Sequence, residues 1–105
     1  MLVVETPVFT RRICEFLPDD EYRRLQLALV LRPEQGALVP GGQGLRKLRW
    51  GQPGRGKRGG LRILYYWDKE PETVYLLFVY EKSKQTDLTP DQAKTLGRLI
   101  REELK

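Results

Sequence analysis

The chain has 105 residues, 40% hydrophobic and 31% charged, with a formal net charge of +5. That is the size of one ordinary domain with one core (residues 1–105), and the basic surplus suits a polyanionic partner. The sequence contains no histidine. This removes Ser–His and Cys–His catalysis and the commonest zinc and iron ligand, so acid–base chemistry falls to Lys, Tyr, Asp or Glu.

Val3-Val4-Glu5 reads as a short first strand. Thr6-Pro7 is a helix start, with Thr6 as N-cap and Pro7 at the first helical position. Phe9, Ile13, Phe16 and Leu17 then recur at helical spacing until Pro18. Cys14, the single cysteine, falls in that helix and is expected to be a buried structural thiol. Asp19 and Asp20 are expected to cap a second helix whose apolar face is Tyr22, Leu25, Leu27, Leu29 and Val30. The two helices make a helical hairpin, stopped at Arg32-Pro33.

Residues 33–44 are a loop by their proline and glycine content. Residues 45–50 alternate as a strand, with Leu45, Lys47 and Arg49 on one face and Arg46, Leu48 and Trp50 on the other. Residues 51–60 read as a glycine-rich basic loop able to approach a ligand closely. In the next strand Leu61, Ile63, Tyr65 and Trp67 share one face and Arg62, Leu64 and Tyr66 the other. Tyr65 and Trp67 are assigned to the core. A turn near Glu70-Pro71 leads to a nearly continuous apolar strand over residues 73–82, which should lie centrally in the sheet. Thr89, Pro90 and Gln92 form a capping box for a last helix running to Lys105, with Ala93, Leu96, Leu99 and Ile100 on its apolar side. The expected fold is α+β: a small, antiparallel-rich sheet packed against an N-terminal helical hairpin and a C-terminal helix.

The charge is unevenly distributed. From Gln35 through Trp67 there is no Asp or Glu, yet Arg46, Lys47, Arg49, Arg55, Lys57, Arg58 and Arg62 all fall in that window. An antiparallel meander would bring Lys47 and Arg49, Arg62, and Tyr80 with Lys82 from three adjacent strands onto one patch, with Lys84 just beyond. Strands about 4.8 Å apart allow this. Glu81, the one acid near the patch, should face the other way. Cations that bind phosphates, beside aromatics that stack on bases, suit RNA. The same groups could cleave RNA without a metal. The ribose 2′-hydroxyl attacks the adjacent phosphorus, arginine stabilises the phosphorane, and crowded cations push the pKa of a lysine or tyrosine down for proton transfer. On spacing alone, binding is favoured over cleavage.

The segments GLRKLRW, GRGKRGGLRILYYW and VYLLFVYEKSKQTDLTPDQ, in this order, resemble the HigB-like branch of the RelE/ParE superfamily, the toxins of type II toxin–antitoxin systems. The resemblance covers about residues 41–100. It departs from the family pattern where Ser83-Lys84 stands in place of Asn-Glu, which adds a cation. It implies a microbial-ribonuclease-like fold and a ribosome-dependent endoribonuclease that cuts messenger RNA in the ribosomal A site and stops translation. No metal or cofactor is implied. The implied partners are a cognate antitoxin, the ribosome and its mRNA.

The matching positions are Lys47, Arg49, Lys57, Arg62 and Lys82. Arg62 is expected to carry transition-state charge, and Lys47 or Lys82 to move protons. Tyr80 is a stacking or acid group, or else a core tyrosine at a strand end. Arg49, Arg55, Lys57, Arg58 and Lys84 are expected to hold RNA. Asp87 is expected to tie its loop to the last helix. Two alternatives stay open: a ParE-like toxin acting on DNA gyrase without a nuclease site, and a non-toxic basic RNA-binding module. No apolar run approaches the ~18 residues of a membrane span, and the N-terminus lacks a signal-peptide pattern, so a cytoplasmic protein is expected.

Overall fold

The structure is a computed structural model that describes residues 1–52, 56–85 and 87–104, and of residues 56–59 the backbone only. In chain order it contains β1 (Leu2–Glu5), α1 (Pro7–Phe16), α2 (Asp19–Leu31), β2 (Ala37–Leu38), β3 (Arg46–Gln52), β4 (Gly56–Lys69), β5 (Glu72–Glu81) and α3 (Pro90–Leu99), followed by a π-helical turn over Ile100–Leu104. The fold is α+β. One five-stranded mixed sheet runs in the order β1-β5-β4-β3-β2. β2 through β5 pair antiparallel, and β1 joins the outer side of β5 in parallel. Among the described residues no helix is long and apolar enough to cross a membrane.

Both faces of the sheet are covered. On one, Phe9, Ile13, Leu17, Leu25 and Leu29 from α1 and α2 pack on Leu48, Leu61, Ile63, Tyr65, Val74, Leu76 and Val79. On the other, Leu96, Leu99, Ile100 and Leu104 pack on Leu45, Leu64, Tyr66, Leu77 and Tyr80. Each fully buried aliphatic side chain contributes about 1.5–3 kcal/mol through removal of apolar surface from water. β4, apolar on both faces, therefore takes a central place between β3 and β5.

One irregularity decides which residues share a face. Leu64 pairs with Phe78, but Tyr65 pairs with Leu76, so Leu77 is an extra residue in β5. This β-bulge places Leu77 and Phe78 on the same side, in the α3 cluster. Strict alternation from Val74 would send Tyr80 toward α1 and α2. The bulge reverses the parity and brings Tyr80 to the α3 face, directly opposite Arg62. The hydroxyl of Thr6, which caps α1 by accepting from the Phe9 N–H at 3.1 Å, donates to the Leu77 carbonyl at 2.8 Å.

The capping box predicted at Thr89 and Gln92 is present, as are the two proline helix starts. Several expectations are corrected. Pro18, not Asp19 or Asp20, is the N-cap of α2, with no side-chain cap; the two aspartates lie in the first turn, where they favour the helix dipole. Leu27 is 58% and Val30 36% exposed, because only the Leu25–Leu29 stripe of α2 meets the sheet. Cys14 is exposed, its Sγ 3.2 Å from the Thr10 carbonyl, because Phe9 and Ile13 define the buried side of α1. The 33–44 loop contains β2. The 51–60 loop is largely strand, since β4 begins at Gly56, opposite Gln52. The last helix gives way to the π-helical turn at Ile100, where the Ile100 N–H reaches both the Gly97 and Leu96 carbonyls.

Tyr65 is core, as expected, and is fixed by its polar end. Its hydroxyl donates to the Pro33 carbonyl at 2.7 Å and accepts from the Gly36 N–H at 2.9 Å. A Cβ at Gly36 would stand 2.8 Å from the tyrosine ring, so this close approach requires glycine. Tyr65→Phe strands two buried backbone groups and is expected to lower unfolding free energy by about 1–3 kcal/mol in a denaturant titration. Thr6→Ala removes both the cap and the tie to the bulge. It should cost about 1–2 kcal/mol, measured the same way.

Candidate functional site

The patch is built from three rows crossing β3, β4 and β5. In the central row Arg49 pairs with Arg62, and Arg62 with Tyr80. Opposed residues of this kind have Cβ atoms about 4.5–5.5 Å apart, and like charges so placed cost stability. One row away Lys47 pairs with Leu64. On the opposite side the ladder continues past β5, with the Lys82 N–H donating to the Gly60 carbonyl at 3.0 Å. Lys47 and Lys82 thus flank the Arg49–Arg62–Tyr80 row.

Asp87 organises the centre. Its Oδ1 stands 3.1 Å from Lys47 Nζ and accepts from the Leu88 N–H at 2.8 Å. These contacts, the Lys47 bond first, hold its carboxyl below the ordinary carboxylate range, and the charge of Lys82 acts in the same direction. Asp87 is an acid that lies among these cations, where the sequence reading expected none facing the patch. The tie to α3 that was expected of Asp87 is made by Gln85. Gln85 Nε2 donates to the Asp87 carbonyl at 2.9 Å and to Gln92 Oε1 at 2.6 Å, and that oxygen also closes the capping box through the Thr89 N–H. The cap of α3 therefore positions the carboxylate that holds Lys47.

Tyr80 differs from expectation in its titration. Its hydroxyl is buried and hydrogen-bonds no described residue within ordinary range. Burial, and then the negative charge of Asp87, push its pKa up to about 12, against a weaker opposite pull from Arg62. The expectation that crowded cations would lower this phenol is overturned, because loss of hydration and a nearby carboxylate outweigh one guanidinium. Its ring lies 6.4 Å from that of Phe78, over which the Arg12 guanidinium sits at 4.9 Å.

The cations differ in access. Arg49 and Lys84 are exposed, and the Lys47 side chain is about one-third exposed. Arg62 is only 5% exposed, its Nη1 directed to the Leu61 carbonyl at 3.2 Å. Arg62 therefore belongs to the floor of the patch, and Lys47 and Arg49 to its rim. Arg55 lies outside the described residues. Lys57 and Arg58 lie in β4, with side chains outside that description. Among the described residues no group of three or more Cys, Asp or Glu side chains is placed to hold a metal ion. Tyr65 and Trp67 pack with α1 and α2 on the opposite face.

Asp87 is the residue whose electrostatic part in the patch the sequence reading missed. Its signal was weak: an acid just before a Thr-Pro helix start, 40 residues from its lysine partner. No protein-family model matches the chain.

The Asp87 carboxylate accounts for part of the rise at Tyr80. Asp87→Asn is expected to move the Tyr80 midpoint down from about 12 toward, but not to, the ordinary 10.0, as read from the pH dependence of the tyrosine Cζ resonances. A phenol raised on folding stabilises the native state fully below pH 10 and loses that contribution as pH rises toward 12. In Asp87→Asn that loss should end at lower pH.

Proposed function

We propose that this chain is a RelE/ParE-superfamily toxin of the HigB-like branch. In this reading it is a metal-independent endoribonuclease that cuts messenger RNA on the ribosome. The observation that carries the reading is the convergence of Lys47, Arg49, Arg62, Tyr80 and Lys82 from three strands around Asp87. Such a patch binds phosphates and supplies positive charge where a phosphorane would develop.

In the proposed reaction the 2′-oxygen bonds to phosphorus as its proton leaves, the P–O5′ bond breaks, and the 5′-oxygen takes up a proton. A 2′,3′-cyclic phosphate and a 5′-hydroxyl result. Lys47 and Arg49 at the rim meet the phosphate, and Arg62 adds charge from beneath. Lys47 or Lys82 moves protons. Asp87, a weak base because its pKa is held down, anchors Lys47. Tyr80, neutral at physiological pH, is able to donate a hydrogen bond but not to act as a base. Messenger RNA, the ribosome and a cognate antitoxin are the proposed partners, and the cytoplasm the proposed location.

A second reading, RNA binding without cleavage, draws on the cover over Arg62 and the raised phenol of Tyr80.

Induced expression in a bacterium separates the two. The nuclease stops protein synthesis first and leaves new messenger 5′ ends within translated frames. The binding module leaves messages whole, and early DNA-damage signalling would point instead to gyrase. Lys47→Ala combined with Arg49→Ala should reduce cleavage at least ~100-fold, by loss of transition-state charge. Its melting temperature should stay near that of the parent, because both side chains lie at the rim. Undiminished cleavage by that variant would remove the site assignment.

A further inference from the structure

A second basic concavity, sharing no lining residue with the patch, lies where α3 meets the turn between β2 and β3. Its volume is about 220 Å³, and it is lined by Gly41, Gln43, Lys94, Gly97, Arg98 and Arg101. Water occupies about 30 Å³ per molecule in the liquid, so a phosphate group with a few waters fits this space. Three of its six lining residues are cations, and none is acidic.

Helix and turn meet at the cleft. Gly97 is buried, and a Cβ there would stand in ordinary van der Waals contact, 3.6 Å from the Gly41 carbonyl oxygen. Lys94, Arg98 and Arg101 follow at intervals of four and three, which puts them along one side of the helix around that contact. On the turn, Gly41 has φ 71° and Gly44 φ 98°, and Gln43 has φ 59°. A glutamine in the left-handed region is uncommon, and here it lines the cleft, its Cγ 3.7 Å from where a Cβ at Gly97 would stand. The helix dipole favours Arg98 in the last turn, but gives no reason for Lys94 in mid-helix. Arg101 pairs with Glu102 at 3.6 Å, and Glu102 does not line the cleft.

We propose that this cleft binds a backbone phosphate of RNA at a nucleotide other than the one held at the Asp87 patch. The proposal rests on the RNA-directed reading above. It assigns Lys94, Arg98 and Gln43 to the phosphate and makes α3 a second contact surface for the same strand or for a neighbouring one. No chemistry occurs there; the cleft fixes register and adds affinity.

The test uses the full-length chain and a fluorescent single-stranded RNA of twelve nucleotides, titrated by anisotropy from low to moderate salt. Each lost phosphate contact on a single strand lowers the slope of log affinity against log salt by about 0.7. Lys94→Gln with Arg98→Gln should therefore lower the slope by about 1.4 and weaken binding on the order of ten-fold near 0.1 M salt. A charge-matched control, Arg11→Gln with Arg23→Gln, alters exposed arginines of α1 and α2 on the opposite side of the sheet and should change neither. Inorganic pyrophosphate should compete for the cleft and shift the amide resonances of Gln43 and Gly97 in the parent but not in the variant. An unchanged slope in a folded Lys94→Gln, Arg98→Gln protein overturns the cleft, as does an equal loss in the control pair. Either result leaves the nuclease reading standing if messenger cleavage persists. Cleft-dependent RNA binding without messenger cleavage removes the nuclease reading and keeps the cleft.

Discussion

The pairing of β4 with β5 is the constraint on which the site depends. β4 is apolar on both faces and must be covered on both, so β3 and β5 flank it and helices close over each side. Side chains of a strand alternate, and a single inserted residue exchanges the two sets downstream. The extra residue at Leu77 makes that exchange within β5. Upstream of it Val74 and Leu76 serve the α1 and α2 side; downstream Tyr80 serves the α3 side. Without it, the row from Arg49 through Arg62 would end on a different side chain.

The patch is then held together by electrostatics that cross long stretches of chain. Two arginines sit opposite each other, with two lysines nearby, and such crowding is unfavourable without an anion. Asp87 supplies that anion within the protein. It is itself placed by the capping box of α3, through Gln85 and Gln92. Packing of the last helix and charge balance at the patch are therefore coupled: a change that frays the start of α3 also loosens Lys47. The exposure of Asp87 keeps its charge partly screened by water, which leaves the rim attractive to phosphate.

Burial separates the cations into two groups. Arg62, nearly covered, contributes charge to the floor, whereas Arg49 and Lys47 are available to a ligand. Tyr80 is set by the same burial, which moves its phenol further above the physiological range, to about 12. Groups adjacent in the sheet thus differ in what they can do, because burial decides which of them a ligand can reach.

Much of the fold was determined by local sequence. Thr6-Pro7 and Thr89-Pro90 start helices because a hydroxyl cap and a proline at the first turn satisfy backbone requirements within a few residues. The alternation at 45–50 and 61–67 assigns faces because a strand has period two, and both assignments hold in the structure. The cationic character of residues 46–62 is likewise a property of the sequence alone. The tertiary structure decided what depends on non-local partners. The bulge arises in pairing with β4 and has no marker in an unbroken apolar run. The exposure of Leu27 and Cys14 follows from which stripe of each helix meets the sheet. The Lys47–Asp87 contact joins positions 40 residues apart, and the raised phenol of Tyr80 follows from burial that only packing creates. Local sequence fixes caps and periods through contacts of a few residues, whereas register, solvent cover and charge pairing belong to segments that meet only when the chain has folded.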